Sequence, residues 1–280
     1  MTKIKLVTDS TCDLPDEILE KYNINVVPLS ITIDGETYID RVDIQPDEFL
    51  VKMRSSVELP KTSQPPVGQF VEMFDQLGAD GSELLVITMT GGMSGTHASA
   101  ASAASMSSSK VTVVDSKFIS KALGYQVVKA AQLIEEGKTM QEILAELDQL
   151  RENTKLLLVV STLDNLVKGG RIGKGKAFIG SLLNIKPISM LEDGVLAPVA
   201  KVRSNSQVVK YLVKSLKEDV SNKVLKEVSI AGANAPELIE GLVETIQKEL
   251  NVKVTDIGMT TPVVSTHTGE GAIGFFYRWE

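Results

Sequence analysis

Residues 84–96 read Leu-Leu-Val-Ile-Thr-Met-Thr-Gly-Gly-Met-Ser-Gly-Thr, an apolar run that ends in a turn rich in glycine and hydroxyl side chains. The run Leu84–Thr88 is short and continuous, as in a strand that is buried on both faces of a parallel sheet. The turn at 90–96 then follows the carboxyl end of this strand, where open α/β sheets bind their ligands. We therefore predict an α/β fold, in which this turn is a candidate ligand site.

Other short apolar runs predict further strands, and amphipathic patterns between them predict helices. The additional predicted strands are Ile4–Thr8, Val111–Val114, Leu156–Ser161, Val228–Ala231 and Val252–Ile257. Thr139 and Glu142 form a capping-box pattern at the start of one helix. Apolar residues at 3.6-residue spacing after Pro236 predict another. Strands that alternate with helices in this way indicate sheets covered by helices on both faces.

The two halves of the chain differ in their predicted pattern of strands and helices. Residues 1–153 alternate strand and helix patterns and predict an N-terminal α/β domain with a parallel sheet. Residues 154–280 include a hairpin pattern, with 188–191 and 196–202 flanking a turn at 192–194. They predict a C-terminal α/β domain with a mixed sheet.

The composition excludes several classes of protein. A net charge of −7 argues against nucleic-acid binding and against adhesion to an anionic membrane. The sequence contains no apolar stretch near the ~20 residues of a spanning helix and no signal-peptide pattern, so we expect a cytoplasmic protein without membrane insertion. Two histidines and one cysteine are too few for a structural zinc site. Cys12 is interpreted as a small residue before a helix, not as a nucleophile.

Two glycine motifs match nucleotide-binding patterns but lack the required context. Residues 170–177 nearly fit the phosphate loop, yet Ala177 replaces the hydroxyl residue that would hold Mg²⁺, and no strand ends directly before the loop. Residues 269–274 fit G-x-G-x-x-G, but only six residues follow them, which leaves no room for the helix of a dinucleotide fold. No nucleotide site and no cofactor are predicted.

Three interpretations of the 90–96 turn remain open from the residues alone. Ser94 can be the N-cap of the following helix. Ser94 and Thr96 can bind an anionic head group beside the free N–H groups of that helix. Ser94 can also be the nucleophile of a serine hydrolase, with Asp115 or Asp256 and then His267 completing a triad.

A basic stretch lies between Asp164 and Glu192, where no acidic residue occurs. Its basic residues are Lys168, Arg171, Lys174, Lys176 and Lys186. It is either a solvated loop or a docking patch for an acidic partner or a phosphate-bearing substrate.

Five segments together resemble the DegV family, in the expected order and over nearly the whole chain. They are VTDSTCDLP (7–15), KTSQPP (61–66), TGGMSGT (90–96), KGGRIGKGKAFIGSLLNIKPI (168–188) and THTGEGAIG (266–274). The resemblance implies two α/β domains with one long-chain fatty acid buried between them. It also implies that this chain is a carrier subunit, not an enzyme, which presents the fatty acid to a separate ATP-binding fatty acid kinase subunit for acyl-phosphate formation in phospholipid metabolism.

The resemblance also assigns residues. It implies that Thr62 and Ser94, with His267 and Arg203, hold the carboxylate, and that Arg171 is a surface residue that contacts the kinase. From the residues alone, Thr62 can simply end a loop, His267 can be a structural histidine, and Arg203 can be an ordinary surface arginine. The sequence does not decide between saturated and unsaturated acyl chains, because residues that line an acyl chain are scattered apolar positions.

Overall fold

The computed structural model describes residues 3–178 and 185–280, and within them it forms three β-sheets with helices around them. The strands are β1 (Ile4–Asp9), β2 (Asn25–Val27), β3 (Ser30–Ile33), β4 (Glu36–Ile39), β5 (Lys61–Ser63), β6 (Glu83–Thr88), β7 (Val111–Asp115), β8 (Thr154–Val159), β9 (Lys186–Glu192), β10 (Val195–Val202), β11 (Leu225–Gly232), β12 (Asp256–Met259) and β13 (Ile273–Trp279). The α-helices are α1 (Asp16–Lys21), α2 (Pro46–Ser55), α3 (Val67–Gly78), α4 (Thr96–Met106), α5 (Ser120–Glu135), α6 (Met140–Glu152), α7 (Asp164–Lys168), α8 (Asn205–Asp219), α9 (Pro236–Leu250) and α10 (Pro262–Thr268). Short 3₁₀ helices cover Ser10–Cys12 and Gly173–Phe178.

The first sheet is parallel throughout, with the order β2-β1-β6-β7. The central strand β6 is fully buried from Leu84 to Ile87, since helices α3 and α4 pack on one face and α5 on the other. The prediction of a parallel sheet in the N-terminal half is confirmed. Its carboxyl ends bring together the loops after β1 and β6.

The second sheet is mixed, with the order β10-β9-β8-β13-β11-β12, and only its β11–β12 pair is parallel. Strands β9 and β10 form the predicted hairpin. Its turn residues Asp193 and Gly194 have φ angles of 48° and 81°, as a tight two-residue hairpin turn requires. The strands of the first sheet end by Asp115 and those of the second begin at Thr154. A domain boundary at 153/154 stays a prediction.

One continuous core lies between the two large sheets. Helix α5 occupies its centre and contacts strands of both sheets. The core joins Leu6 and Leu85 of the first sheet to Leu158 and Phe276 of the second. Helices α8 and α9 cover the other face of the second sheet, so that both sheets are covered on both sides, as predicted.

Two local signals are confirmed and one is wrong. Thr139 and Glu142 exchange both capping-box hydrogen bonds at the start of α6, and α9 begins at Pro236. The strand predicted at 252–257 starts only at Asp256, because the pairing of β12 with β11 begins there.

The polar segment at 34–66, for which no element was predicted, contains β4, α2 and β5. Strands β4 and β5 pair with β3 in a third, small antiparallel sheet. Over residues 3–178 and 185–280, no helix has both the length and the apolar character that crossing a bilayer requires.

Candidate functional site

A narrow cavity lies between the two large sheets, at the carboxyl ends of β1 and β6. The empty space within it, counted out to its open mouth, is about 480 Å³. The polar residues of its wall include Thr62, Ser94, Arg171 and His267. The apolar residues of its wall include Met89, Met93, Leu158, Val263 and Val264. Loops from the first sheet, strand β5, strand β8 and helix α10 thus build one site.

Thr62 and His267 form the central polar contact. Strand β5 holds Thr62 opposite Ile31 of β3, and helix α10 holds His267 near its carboxyl end. The two side chains meet with 2.8 Å between Thr62 Oγ1 and His267 Nε2. Residues 205 positions apart in the chain are therefore in direct contact at the cavity.

His267 is held neutral. Burial, and secondarily the positive charge of Arg171, lowers the pKa of His267 to about 4. Its Nδ1 atom is buried and has no hydrogen-bond partner among the described residues. Gly169 lies against this atom so closely that a Cβ on Gly169 would collide with the ring. Buried polar atoms without a partner are rare in proteins, and His267 Nδ1 is one of a small number among the described residues.

Ser94 lies on the loop between β6 and α4. Its Oγ is 2.9 Å from Thr96 Oγ1 and accepts a hydrogen bond from the Thr96 N–H at 3.3 Å. Helix α4 begins at Thr96 with Gly95 as its N-cap, so the interpretation of Ser94 as the N-cap is wrong. Gln64 packs directly under Gly95 and leaves no room there for a side chain. Tight packing under the loop fixes the position of Ser94.

Arg171 lies in the wall of the cavity and is partly buried. Its Nε donates to the Met93 carbonyl at 3.0 Å, and its Nη1 donates to the Gly169 carbonyl at 2.7 Å. The guanidinium thus links the Ser94 loop to the segment that packs on His267. The predicted role of Arg171 in docking a partner stays a prediction.

Arg203 lies apart from the polar residues of the cavity wall. It lies on an exposed turn between β10 and α8, where its backbone N–H donates to Gln207 Oε1 at 2.8 Å. It is absent from the described lining of the cavity. Its assignment to the head group therefore has no support in the geometry, because the turn after β10 lies at the edge of the second sheet.

The hydrolase triad is not formed. Asp115 bonds Lys117 and Asp256 bonds Lys121, at 2.9 Å and 2.6 Å between the carboxylate and ammonium groups. Ser94 bonds Thr96, and His267 bonds Thr62 instead of a serine. Without a base at the serine and a carboxylate at the histidine, Ser94 is not activated as a nucleophile.

The remaining sequence motifs also take structural roles. Gly170 follows helix α7, not a strand, and Gly274 lies inside β13, so neither nucleotide-binding pattern has its required context. Cys12 is fully buried, and burial raises the pKa of its thiol to about 12, which removes it as a nucleophile. Residues 179–184 of the long basic motif lie outside the described residues.

A second space, lined mostly by apolar residues, adjoins the first, and its empty volume, counted in the same way, is about 290 Å³. The two share the lining residues Ile119, Leu158, Val264 and Thr268. The combined space is polar at one end and apolar at the other. Sequence motifs pointed to the polar end, whereas none pointed to Leu158 or Val264, because an apolar residue in a strand or helix carries no sign of which cavity it lines.

The fold and the site define an α/β protein that encloses an amphipathic cavity between a parallel and a mixed sheet. The family model described as "Uncharacterised protein, DegV family" matches residues 3–280. A DegV domain-containing protein of Staphylococcus aureus is 44% identical over 98% of both chains. The chain belongs to the DegV family.

Solved structures of the family superimpose closely. A DegV family protein from Thermus thermophilus, described by its fatty acid binding, has a TM-score of 0.93 at 30% identity over 100% of both chains. A protein from Eubacterium ventriosum, described as binding stearic acid, has a TM-score of 0.87 at 30% identity, over 99% of this chain and 98% of the other. The α/β fold with one parallel and one mixed sheet is that of these structures.

Proposed function

We propose that this protein binds one long-chain fatty acid, with its carboxylate at the polar end of the cavity and its acyl chain between the two large sheets. The observation that carries the proposal is the amphipathic cavity, in which the Thr62–His267 pair stands at one end of an apolar channel. The similar structures from T. thermophilus and E. ventriosum support the same class of ligand.

The acyl chain supplies most of the affinity. Burial of a methylene contributes about 0.8 kcal/mol, so a chain of about 16 carbons contributes on the order of 10 kcal/mol before the cost of ordering. The cavity is narrow, and its walls must shift to admit a chain. Met89 and Met93 are suited to this, because methionine side chains are unbranched and flexible.

The head group is held by donors that leave it reactive. The hydroxyls of Thr62 and Ser94 can each donate to a carboxylate, and the Thr62 proton is free for this when the neutral His267 donates its Nε2–H to Thr62 Oγ1. The guanidinium of Arg171 adds a positive charge in the same wall. A carboxylate held mainly by hydroxyls keeps a free oxygen, which phosphoryl transfer requires of its nucleophile.

We further propose that a separate kinase subunit supplies the ATP. The resemblance to carrier subunits of fatty acid kinases motivates this step, and the position of Arg171 beside the head group supports it. In this scheme the protein positions the carboxylate and the partner provides the nucleotide and Mg²⁺. The protein is then a lipid carrier, and its product is the acyl phosphate that remains bound after transfer.

The first experiment is native mass spectrometry of the purified protein, followed by extraction and lipid analysis. We expect one fatty acid per chain, and we expect the Thr62→Val, Ser94→Ala double variant to retain at least tenfold less, because each lost hydrogen bond to a charged group contributes about 1.5–3 kcal/mol. Thr37→Val with Ser105→Ala is the matched control, since both residues are exposed and neither is among the residues that line the cavity. A protein that stays free of lipid after incubation with fatty acids contradicts the proposal.

A second experiment tests the kinase step. The lipid-loaded protein, a candidate kinase subunit and ATP are incubated with hydroxylamine, which converts an acyl phosphate to a hydroxamate. We expect Arg171→Gln to lower hydroxamate formation more than Lys174→Gln, a nearby exposed residue paired with Glu192. Equal rates for the two variants would remove Arg171 from the proposal while leaving lipid binding intact.

A further inference from the structure

The inner, apolar cavity is closed by residues beyond those that it shares with the outer cavity. These deeper residues are Ser120, Leu156, Thr260, Ala272, Gly274 and Phe276. Their hydroxyls are satisfied within the protein, because Ser120 donates to Asp13 and Thr260 bonds Ser265. Thr268, at the junction, donates to the Val264 carbonyl. A chamber without free polar groups stays dry when empty and favours an apolar occupant.

The register of the β8–β13 pair shows which lining residues lie further from the polar end of the cavity. In the β8–β13 pair, Leu158 lies opposite Gly274 and Leu156 lies opposite Phe276. Leu158 lines both cavities, whereas Leu156 and Phe276 line only the inner one. Phe276 therefore lies one step further along the same sheet face, about 7 Å beyond Leu158 and away from His267.

The ring of Phe276 packs over Gly274 in the wall of the inner cavity. A Cβ on Gly274 would lie 2.5 Å from Cζ of Phe276, so the ring occupies the space that a side chain at Gly274 would need. Phe276 is only 1% exposed and packs in the core between the two sheets. Its neighbour Phe275 is also fully buried, but on the opposite face of the sheet, in the core under α8 and α9.

We propose that Phe276, seated over Gly274, is the floor of the acyl channel and sets the longest fatty acid that the protein accepts. The proposal rests on the proposed function, since it assigns the methyl end of the same ligand. The polar end fixes the carboxylate at Thr62 and His267, so the distance to the floor limits the chain. One methylene too many in an apolar pocket changes binding by roughly 10–200-fold, which is enough for strong selection by length.

The test is a competition among saturated fatty acids of graded length, with the bound mixture extracted and quantified. Phe276→Leu shortens the side chain at the floor, and we expect the bound ratio of C20 to C16 acids to rise about tenfold. Gly274→Ala forces the ring into the channel, and we expect the same ratio to fall. Phe275→Leu is the matched control, because it makes the same change in the adjacent buried residue on the other face, and we expect an unchanged ratio.

The outcomes separate this proposal from the proposed function. If no acid of any length binds to the parent protein, the proposed function fails. If acids bind but Phe276→Leu and Phe275→Leu give the same length distribution, only the floor assignment is overturned.

A second measurement uses the unmodified protein and so does not depend on the folding of a variant. A fatty acid with a photoreactive diazirine at its methyl end is bound and irradiated, and the labelled peptides are mapped. We expect labels in β13 and β8, near Phe276 and Leu156. Labels confined to α2 or α3 would overturn the floor assignment.

Discussion

A concavity lies at each end of the parallel sheet, and the two differ in size and in the polar groups that line them. The cavity at the carboxyl ends holds about 480 Å³ of empty space, whereas a groove at the amino ends of the same strands holds about 2330 Å³. The groove is lined by the first residues of β1 and β6 and by the α5–α6 junction. The larger concavity is therefore not the one to which we assign the proposed fatty acid.

Several charged groups of the groove are paired within the protein. Lys5 donates to the Leu77 carbonyl at 2.6 Å and to Asp80 at 2.9 Å, and Lys110 pairs with Glu83 at 2.8 Å. The cavity instead contains the unpartnered Nδ1 of His267. In a parallel sheet, the loops that follow the strands and the amino termini of the next helices lie at the carboxyl ends of the strands, which is where α/β proteins bind their ligands. The proposed fatty acid site is therefore assigned to the cavity at the carboxyl ends and not to the groove.

The sharpest test of this comparison adds one methyl group at the cavity. Gly169→Ala places a Cβ against the His267 ring and the Asn165 carbonyl, and we expect the ring to leave Thr62. Overpacking of this kind costs about 1–3 kcal/mol, so fatty acid affinity should fall up to about 100-fold by equilibrium titration. Gly68→Ala, where nothing lies near the added atom, is the control and should bind as the parent does. Equal affinities for both variants would contradict the placement of His267 in the site.

The next test loosens the loop that carries Ser94. Thr90 is fully buried, and its hydroxyl donates to the Gly194 carbonyl at 2.9 Å and accepts from the Gly92 N–H at 3.1 Å. Thr90→Val leaves both backbone groups without this partner, and we expect the free energy of unfolding to fall by about 2 kcal/mol in urea titrations. Lipid affinity should fall with it, and Thr90→Ser should restore both. Full affinity in a destabilised Thr90→Val would show that the loop is held without this contact.

The pH dependence of stability tests the burial of His267. Between about pH 4 and 6.5 the unfolded imidazole binds a proton that the folded one rejects, so the lipid-free parent loses stability relative to His267→Gln as the pH falls through this window. The loss should reach about 1–2 kcal/mol at pH 4.5, measured by urea unfolding of both proteins at pH 7.0 and 4.5.

Buried carboxyls oppose this trend in both proteins. Burial raises the pKa of Asp40 to about 7 and also raises the pKa of Asp9 and Asp13. As the pH falls, these carboxyls take up protons in the folded state at a higher pH than in the unfolded state, so they increase the stability of the folded state. The same carboxyls are present in His267→Gln, so their contribution cancels in the comparison of the two proteins. A parent and variant that lose equal stability would show that His267 is solvated.

The smallest expected effect lies at the groove. Thr139 caps α6 there, accepting from the Glu142 N–H while the Glu142 carboxylate accepts from the Thr139 N–H at 2.8 Å. Thr139→Ala should lower the free energy of unfolding by about 1 kcal/mol and leave fatty acid affinity unchanged. A change in fatty acid affinity without a change in stability would contradict the assignment of the ligand to the cavity, and would place it in the groove at the amino ends of the strands.

Much of the fold is predictable because local patterns and tertiary packing agree. The apolar run at β6, the hairpin turn at Asp193 and Gly194, and the capping box at Thr139 each specify a backbone conformation through a few neighbouring residues. The start of β12 is not specified in this way, since an edge strand extends only as far as its pairing with β11. The small sheet of β3, β4 and β5 was missed because its strands are short and partly polar.

The candidate site also has features that local sequence predicts and features that only tertiary packing determines. The sequence by itself determined the α/β class, the position of the Ser94 turn after a parallel strand, and the family to which the motifs point, because these depend on local spacing. Only the tertiary structure decided that Thr62 meets His267, that Arg171 lies in the cavity wall while Arg203 does not, and that Phe276 lines the inner cavity. Contacts between residues some 200 positions apart depend on how two sheets pack across one core, and no local pattern encodes that packing.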